Sequence, residues 1–214
     1  MPIFTVLVSL MCVGVFVLET LHIDWPLHGY ISPASPSLFE AGVWWTSITS
    51  IFLHKDIFHL VNNILSLLWI GTSYEKHEGH IRFLIVYFLS GMVGAWWYCH
   101  VQIPLGTDVP VVGASGSIFG LFAVYAIVLV HYLFVLDAMD LRRMMVSRSL
   151  SMLIKVLLWN VVYGFFSVGI ANEAHLGGFV AGLVLGLLFL VWDRLLGRKL
   201  VEKFPPGTNQ NNFG

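Results

Sequence analysis

Four polar side chains stand out in this sequence because each lies in a long apolar stretch. His59 and Asn63 lie near the start of one stretch, Ser115 near the start of another, and His175 near the start of a third. Polar and ionisable residues inside apolar segments of membrane-spanning length cost free energy and usually mark function. A serine within hydrogen-bond reach of a histidine is the arrangement of a nucleophile and its general base. These residue types therefore predict nucleophilic catalysis, if the helices that carry them pack together.

The spacing of these residues predicts that they share one layer. His59 and Asn63 are four residues apart, so they project from one face of a helix. The three apolar segments concerned are predicted to run inward from the outer membrane face. At a rise of 1.5 Å per residue, each of the four side chains lies within roughly 10 Å of the outer end of its helix.

Glycines flank both the serine and the histidine at helical spacing. Ser115 lies in Gly113-Ala114-Ser115-Gly116, and a further glycine follows at Gly120. His175 is followed by Gly178, Gly182 and Gly186, which recur every four residues. Such rows of small residues let membrane helices approach closely. The pattern indicates that the helices of Ser115 and His175 pack closely enough for the two side chains to meet.

Each of these features also has a purely structural interpretation. A single serine in a membrane helix commonly hydrogen-bonds the carbonyl four residues earlier. An intramembrane histidine can serve an ion path or a structural hydrogen bond, and glycine rows alone indicate only packing. Asn62 is predicted to make an interhelical bond or to face a loop, and Ser117 to be a packing residue.

The composition places this chemistry in a membrane. Of 214 residues, 57% are hydrophobic and 11% are charged, with a mean hydropathy of +0.83. A soluble protein carries roughly 25% charged residues, so this chain cannot cover a water-exposed surface. Backbone in lipid must form helices or a closed barrel, and segments of this length predict helices. The net charge of −1 provides no basic field for nucleic acid.

We predict an all-α polytopic membrane protein with six transmembrane helices in one domain, residues 1–196. The first outer loop is predicted to span about 19–56. It includes an apolar piece, 41–53, that is too short to cross a bilayer and is predicted to be interfacial or re-entrant. Residues 197–214 are predicted to be a cytoplasmic tail with a disordered end. The predicted spans are 1–18, 57–74, 83–99, 111–136, a fifth ending near 172, and 173–192.

The distribution of positive charge predicts the orientation. With the N-terminus in the cytoplasm, 10 of the 11 Lys and Arg residues lie on the cytoplasmic side and only Lys55 lies outside. The positive-inside rule therefore places both termini in the cytoplasm. We expect a multi-pass protein of a bacterial-type plasma (inner) membrane.

No cofactor or metal is expected. Cys12 and Cys99 lie in apolar stretches and form no disulfide framework. The segment from His77 to His80 places its histidines three residues apart, whereas the zinc motif His-Glu-x-x-His needs four. No nucleotide-binding motif is present.

Taken together, these motifs resemble those of the rhomboid family of intramembrane serine proteases. HKDIFHLVNN resembles the start of the family's second helix, GASG its Gly-x-Ser-Gly motif, and AHLGGFVAG its Ala-His-x-x-Gly-x-x-x-Gly motif. Glu75-Lys76 followed by Gly79 resembles a further signature. The resemblance covers nearly the whole chain and implies the minimal rhomboid-like bundle of six transmembrane helices.

The resemblance implies a Ser-His dyad, with Ser115 as nucleophile and His175 as general base, acting through an acyl-enzyme. His59, Asn63 and the backbone N–H of Ser115 are the candidate oxyanion donors, and Gly113, Gly116 and Gly178 are structural residues near the site. Where several relatives have tyrosine, this chain has Phe119, whose ring can stack on His175 but has no hydroxyl. In the first outer loop Thr46 follows Trp45, where the family often has arginine.

Two other functions remain open at this point. Some rhomboid-like proteins bind membrane proteins without cleaving them, although those lack the nucleophile or the base. A small transporter could use His59 and His175 as a proton relay, but it would not require GASG. The expected partners are single-span membrane protein substrates and the lipid bilayer, and the sequence does not determine the oligomeric state.

Overall fold

The computed structural model describes residues 1–21, 45–102, 105, 110–167 and 169–197. Most of the predicted first outer loop, most of the Pro/Gly loop around residues 104–110, and the tail from residue 198 onward lie outside the described residues. So does the beginning of the predicted interfacial piece, residues 41–44. The domain limits of 1–196 and 197–214 therefore stay predictions.

The described residues form an all-helical bundle without a β-strand. The seven α-helices are α1 (Ile3–Thr20), α2 (Thr46–Thr49), α3 (Ile57–Glu78), α4 (His80–Gln102), α5 (Ser115–Val135), α6 (Leu141–Phe166) and α7 (Asn172–Leu195), with a 3₁₀ turn at Ser50–Phe52.

Five of these helices, namely α1, α4, α5, α6 and α7, are long and apolar enough to cross a membrane. A bilayer core of about 30 Å needs roughly 20 helical residues, so the chain is an integral, multi-pass membrane protein. Helix α3 coincides with the second predicted span and has 22 residues, but its many polar residues leave it outside this set. The count of six spans thus stays a prediction.

The fifth predicted span ends earlier than the sequence indicated. Helix α6 stops at Phe166 because Ser167 adopts an extended conformation, and Gly169 follows with a φ of +74°. Helix α7 then begins at Asn172. Residues 45–53 are the described part of the interfacial piece. Within them, residues 46–52 form α2 and the 3₁₀ turn, which are largely buried.

Glycines bring the backbones of α5 and α7 into direct contact. A Cβ atom added to Gly178 would meet the carbonyl of Gly116, and one added to Gly182 would meet the carbonyl of Gly120. Most of α5 is buried, so it forms the centre of the bundle. Because Ser115 and His175 lie in the first turns of these two helices, this contact sets the distance between them.

We expect Gly182→Ala to lower the thermal unfolding midpoint clearly, because the new Cβ would press on a backbone carbonyl that cannot move aside. Overpacking of this kind costs about 1–3 kcal/mol. The matched control is Gly14→Ala in α1, where nothing lies within 4 Å of the added Cβ. Equal unfolding midpoints of the two variants in one detergent would contradict the close approach of α5 and α7.

Charged side chains tie the helices together at the end of the bundle remote from Ser115. The carboxylate of Glu75 accepts hydrogen bonds from the backbone N–H groups of Phe4 and Thr5 at 2.9 and 2.8 Å. Arg82 on α4 pairs with Glu78 on α3 and with Asp193 on α7. The polar layer that contains Ser115 lies at the opposite end of the bundle.

Candidate active site

Ser115 and His175 lie within hydrogen-bond distance. The Ser115 Oγ and the His175 Nε2 are 2.8 Å apart. Ser115 is the first residue of α5, so its side chain stands at a helix N-terminus, where the helix dipole favours negative charge. A neutral imidazole with its proton on Nδ1 would accept the serine proton at Nε2, which is the geometry of a nucleophile with a general base.

Packing, rather than a carboxylate, holds the His175 ring. The ring of Phe119 stacks on it with centroids 4.3 Å apart and planes 7° apart. Glu173, two residues before His175, is engaged elsewhere, since its Oε1 accepts a hydrogen bond of 2.9 Å from the side chain of Gln102 on α4. Within the described ranges, no carboxylate hydrogen-bonds His175.

His59 and Asn63 face the residues that precede the serine. Asp56 caps α3, its Oδ1 accepting the backbone N–H of His59 at 2.8 Å. A Cβ added to Gly113 would lie 2.7 and 2.9 Å from the Cε1 and Nε2 of His59 and 3.4 Å from the Nδ2 of Asn63. Gly113 also has a φ of +115°, so both space and conformation require glycine there.

Two buried nitrogen atoms in this layer have no hydrogen-bond partner among the described residues. They are the Nδ1 of His59 and the Nδ2 of Asn63. Buried polar groups are normally paired, and an exception calls for a functional explanation. The Asn63 amide can donate to an anionic oxygen bound beside Ser115, and a His59 ring nitrogen can do so when it carries the proton.

All four side chains singled out from the sequence line one small cavity of about 10 Å³. That volume is about the minimum that one water molecule needs. The lining consists of His59, Asn62, Asn63, Ser115, Asn160, Tyr163, Ile170 and His175. The structure thus brings together on one surface the residues from α3, α5 and α7, and α6 closes the cavity with Asn160 and Tyr163.

Asn160 was missed by the sequence reasoning. Its side chain is buried and bonds Asn62 and Ser66 of α3 at 3.1 Å each, so Asn62 makes an interhelical bond. The Nε1 of Trp159 donates to the Oδ1 of Asn62 at 3.0 Å. An asparagine in the middle of a predicted span was the available signal, because such residues usually bond across helices in membranes.

His54, outside the spans, was also missed. Its ring packs edge-on against that of His59, with centroids 5.2 Å apart, and its Nδ1 lies 3.2 Å from the carbonyl of Phe52. Burial lowers the pKa of His54 to about 3. His54 is therefore neutral near pH 7 and places no charge beside the candidate oxyanion donors.

Ser117, the nearest alternative nucleophile, points away from the base. It is fully buried, and a Cβ added to Gly91 of α4 would collide with its Oγ. Its side chain therefore faces α4. Within the described residues, no group of three or more His, Cys, Asp or Glu side chains is placed to hold a metal ion.

Comparison with known proteins gives matches to rhomboid proteins. The family model of the Rhomboid domain matches residues 41–192. The chain is 32% identical over 146 residues to rhomboid protease GluP of Bacillus subtilis, 36% over 148 residues to YdcA of the same organism, and 30% over 164 residues to rhomboid protease AarA of Providencia stuartii.

The lengths of these relatives differ from that of this chain. The alignments cover 68%, 69% and 70% of this chain, but 26% of GluP, 68% of YdcA and 57% of AarA. The chain therefore spans about a quarter of GluP and somewhat more than half of AarA.

Proposed function

The chain belongs to the rhomboid family, and we propose that it is an intramembrane serine endopeptidase that cleaves transmembrane segments of other membrane proteins. Relatives that are named rhomboid proteases support this proposal. The observation that carries it is the 2.8 Å contact between Ser115 and His175, in a cavity that His59 and Asn63 also line. A rhomboid-like protein that only binds its clients has no need of such a pair.

In the proposed reaction, the Ser115 Oγ attacks the scissile carbonyl carbon while the His175 Nε2 takes the hydroxyl proton. The tetrahedral intermediate collapses by breaking the C–N bond, and Nε2 returns the proton to the leaving amine. Water then attacks the acyl-enzyme ester, giving its proton to Nε2. The second collapse releases the carboxylic acid, and the proton on Nε2 returns to the Ser115 Oγ.

The negative charge on the intermediate needs donors aimed at the oxyanion. His59 and Asn63 are proposed for this role because their side chains approach Gly113, two residues before the nucleophile. The backbone N–H of Ser115 lies at the N-terminus of α5 and is the third candidate. Gly113 keeps the approach to His59 and Asn63 open, whereas Gly116 and Gly178 let α5 and α7 pack closely.

We further propose that α3 is a sixth span and that both termini lie in the cytoplasm. The excess of Lys and Arg on one side supports this orientation, including Arg142 and Arg143 at the start of α6. It places Ser115 and His175 near the extracytoplasmic face, where water for hydrolysis is close. A bacterial-type inner membrane is the proposed location, and single-span membrane proteins are the proposed substrates.

We expect a single-span substrate to be cut near the extracytoplasmic boundary of its membrane segment. A helix holds its carbonyls in hydrogen bonds, so the scissile bond must first be unwound. Glycine near the boundary lowers that cost by up to about 1 kcal/mol relative to alanine. Mass spectrometry of the products of purified protein in liposomes would locate the cut.

The control is a matched substrate in which the residues around the cut are replaced by Ala and Leu, which should slow cleavage. A cut at the cytoplasmic end, or equal rates for the two substrates, would contradict the proposed depth of Ser115. Binding of both substrates without any product would instead favour a rhomboid-like binding protein.

A further inference from the structure

The proposed reaction uses the Nε2 of His175 but assigns no role to the residues around the Nδ1 edge of the ring. Its Nε2 faces Ser115, and one ring face lies on Phe119. The opposite edge faces the backbone of Gly164 on α6, because a Cβ added there would lie 3.4 Å from the His175 Cε1 and 3.5 Å from its Nδ1. The backbone of α6 therefore forms the wall behind the candidate base.

Asn172 attaches that wall to the helix that carries the base. Its Nδ2 donates a hydrogen bond of 3.2 Å to the carbonyl of Gly164. Its Oδ1 lies 2.6 Å from the position that a Cβ of Gly164 would occupy. Asn172 is the first residue of α7 and precedes His175 by three residues, so the two side chains lie on neighbouring parts of one helix face.

Helix α6 buries few of its own residues. Of its 26 residues, only Val146, Leu153, Asn160 and Gly164 are buried. Asn160 and Trp159 join α6 to α3, and Arg143 joins it to the end of α5. The bond from Asn172 to Gly164 joins it to α7. Among these hydrogen bonds, the one from Asn172 is the bond made at Gly164 itself, where the α6 backbone faces the imidazole.

We propose that Asn172 is a positioning residue for His175, acting through Gly164; this inference rests on the proposed protease function. A serine protease triad orients its histidine with a hydrogen-bonded carboxylate, which His175 lacks among the described residues. Here the ring is confined between Phe119 on one face and the α6 backbone at its Nδ1 edge. Asn172 keeps that backbone in place, so the ring cannot turn its Nε2 away from Ser115.

The test compares Asn172→Ala with Gln102→Ala. Gln102 supplies a matched amide donor to the same turn of α7, but it reaches Glu173 from α4 rather than the wall behind the base. Purified variants in one detergent would be compared for kcat, KM, the rate of labelling by a fluorophosphonate probe, and the unfolding midpoint.

For Asn172→Ala we expect kcat and the labelling rate to fall about ten- to hundredfold, as a displaced catalytic group implies. Its KM should stay within about twofold, since the substrate contacts are intact. Gln102→Ala should keep the wild-type kcat. A wild-type labelling rate in Asn172→Ala, or equal losses in both variants in proportion to their unfolding midpoints, would overturn the inference.

A second substitution, on α6, tests the same contact between Asn172 and Gly164. In Gly164→Ala the new Cβ would press on the Asn172 Oδ1, and we expect a loss of kcat. In Asn172→Ala/Gly164→Ala that obstacle is gone and the Cβ makes ordinary contacts with His175, so the double variant should be no slower than Asn172→Ala. Additive losses would mean that the two residues act independently and would contradict the proposal.

The measurements on wild-type protein and on Asn172→Ala separate the protease function from the positioning role of Asn172. If wild-type protein neither labels nor cleaves while it remains folded, the proposed protease function fails. If wild-type protein is active and Asn172→Ala matches it, only the positioning role fails.

Discussion

Replacing Ser115 or His175 by alanine is expected to abolish cleavage while the protein still inserts and purifies normally. The Ser115 Oγ and His175 Nε2 lie 2.8 Å apart and would act as one unit, so losing either side chain removes both nucleophile and proton transfer. The expected fall in kcat is on the order of 10⁶-fold, as for other serine nucleophiles and their histidines. Product formation from a single-span substrate measures it.

The double variant should be no worse than either single one, because the second substitution has nothing left to remove. Fluorophosphonate labelling supplies an independent readout, and Ser115→Ala should not label at all. Ser117→Ala is the matched control, since that hydroxyl faces α4 and a side chain at Gly91 would collide with it. Substantial activity in Ser115→Ala would show that another residue is the nucleophile.

His59→Ala and Asn63→Ala are expected to lower kcat by roughly 10²–10³-fold each, the usual effect of deleting one oxyanion donor. Both side chains approach Gly113, and each keeps a buried nitrogen without a partner among the described residues. The loss should appear mainly in kcat, because the charge that they stabilise exists only in the transition state and intermediate.

Asn62→Ala is the matched control for these two variants. It removes an asparagine from the same turn of α3, but one whose amide is already engaged by Asn160 and Trp159. Its effect on kcat should be below about tenfold, since the variant loses an interhelical contact rather than a proposed oxyanion donor. Unchanged turnover in both His59→Ala and Asn63→Ala would mean that backbone groups alone bind the oxyanion.

Much of this site could be predicted from local sequence. Polar residues are rare in apolar segments, so His59, Asn63, Ser115 and His175 were conspicuous without any structure. Their distance from the helix ends followed from the fixed rise per residue, and the glycine spacing indicated which helices pack closely. These properties depend on residues close together in the chain, which is why local reasoning reached them.

Helix ends and the span count were less predictable. The fifth span was expected to end near residue 172, whereas α6 stops at Phe166. The intervening residues are apolar enough to continue a span, but the backbone at Ser167 is extended and Gly169 has a positive φ. Composition alone does not reveal such a break, because it records polarity rather than conformation.

The composition and residue spacing by themselves determined that the chain is a helical membrane protein and which serine and histidine would share a layer. Only the tertiary structure decided how the base is held. The resemblance already implied that Phe119 could stack on His175, but the geometry of that stack depends on how neighbouring helices are rotated and cross. The same holds for the hydrogen bonds of Glu173 with Gln102 and of Asn172 with Gly164. These contacts join α4, α5 and α6 to α7, so no pattern within a single helix encodes them.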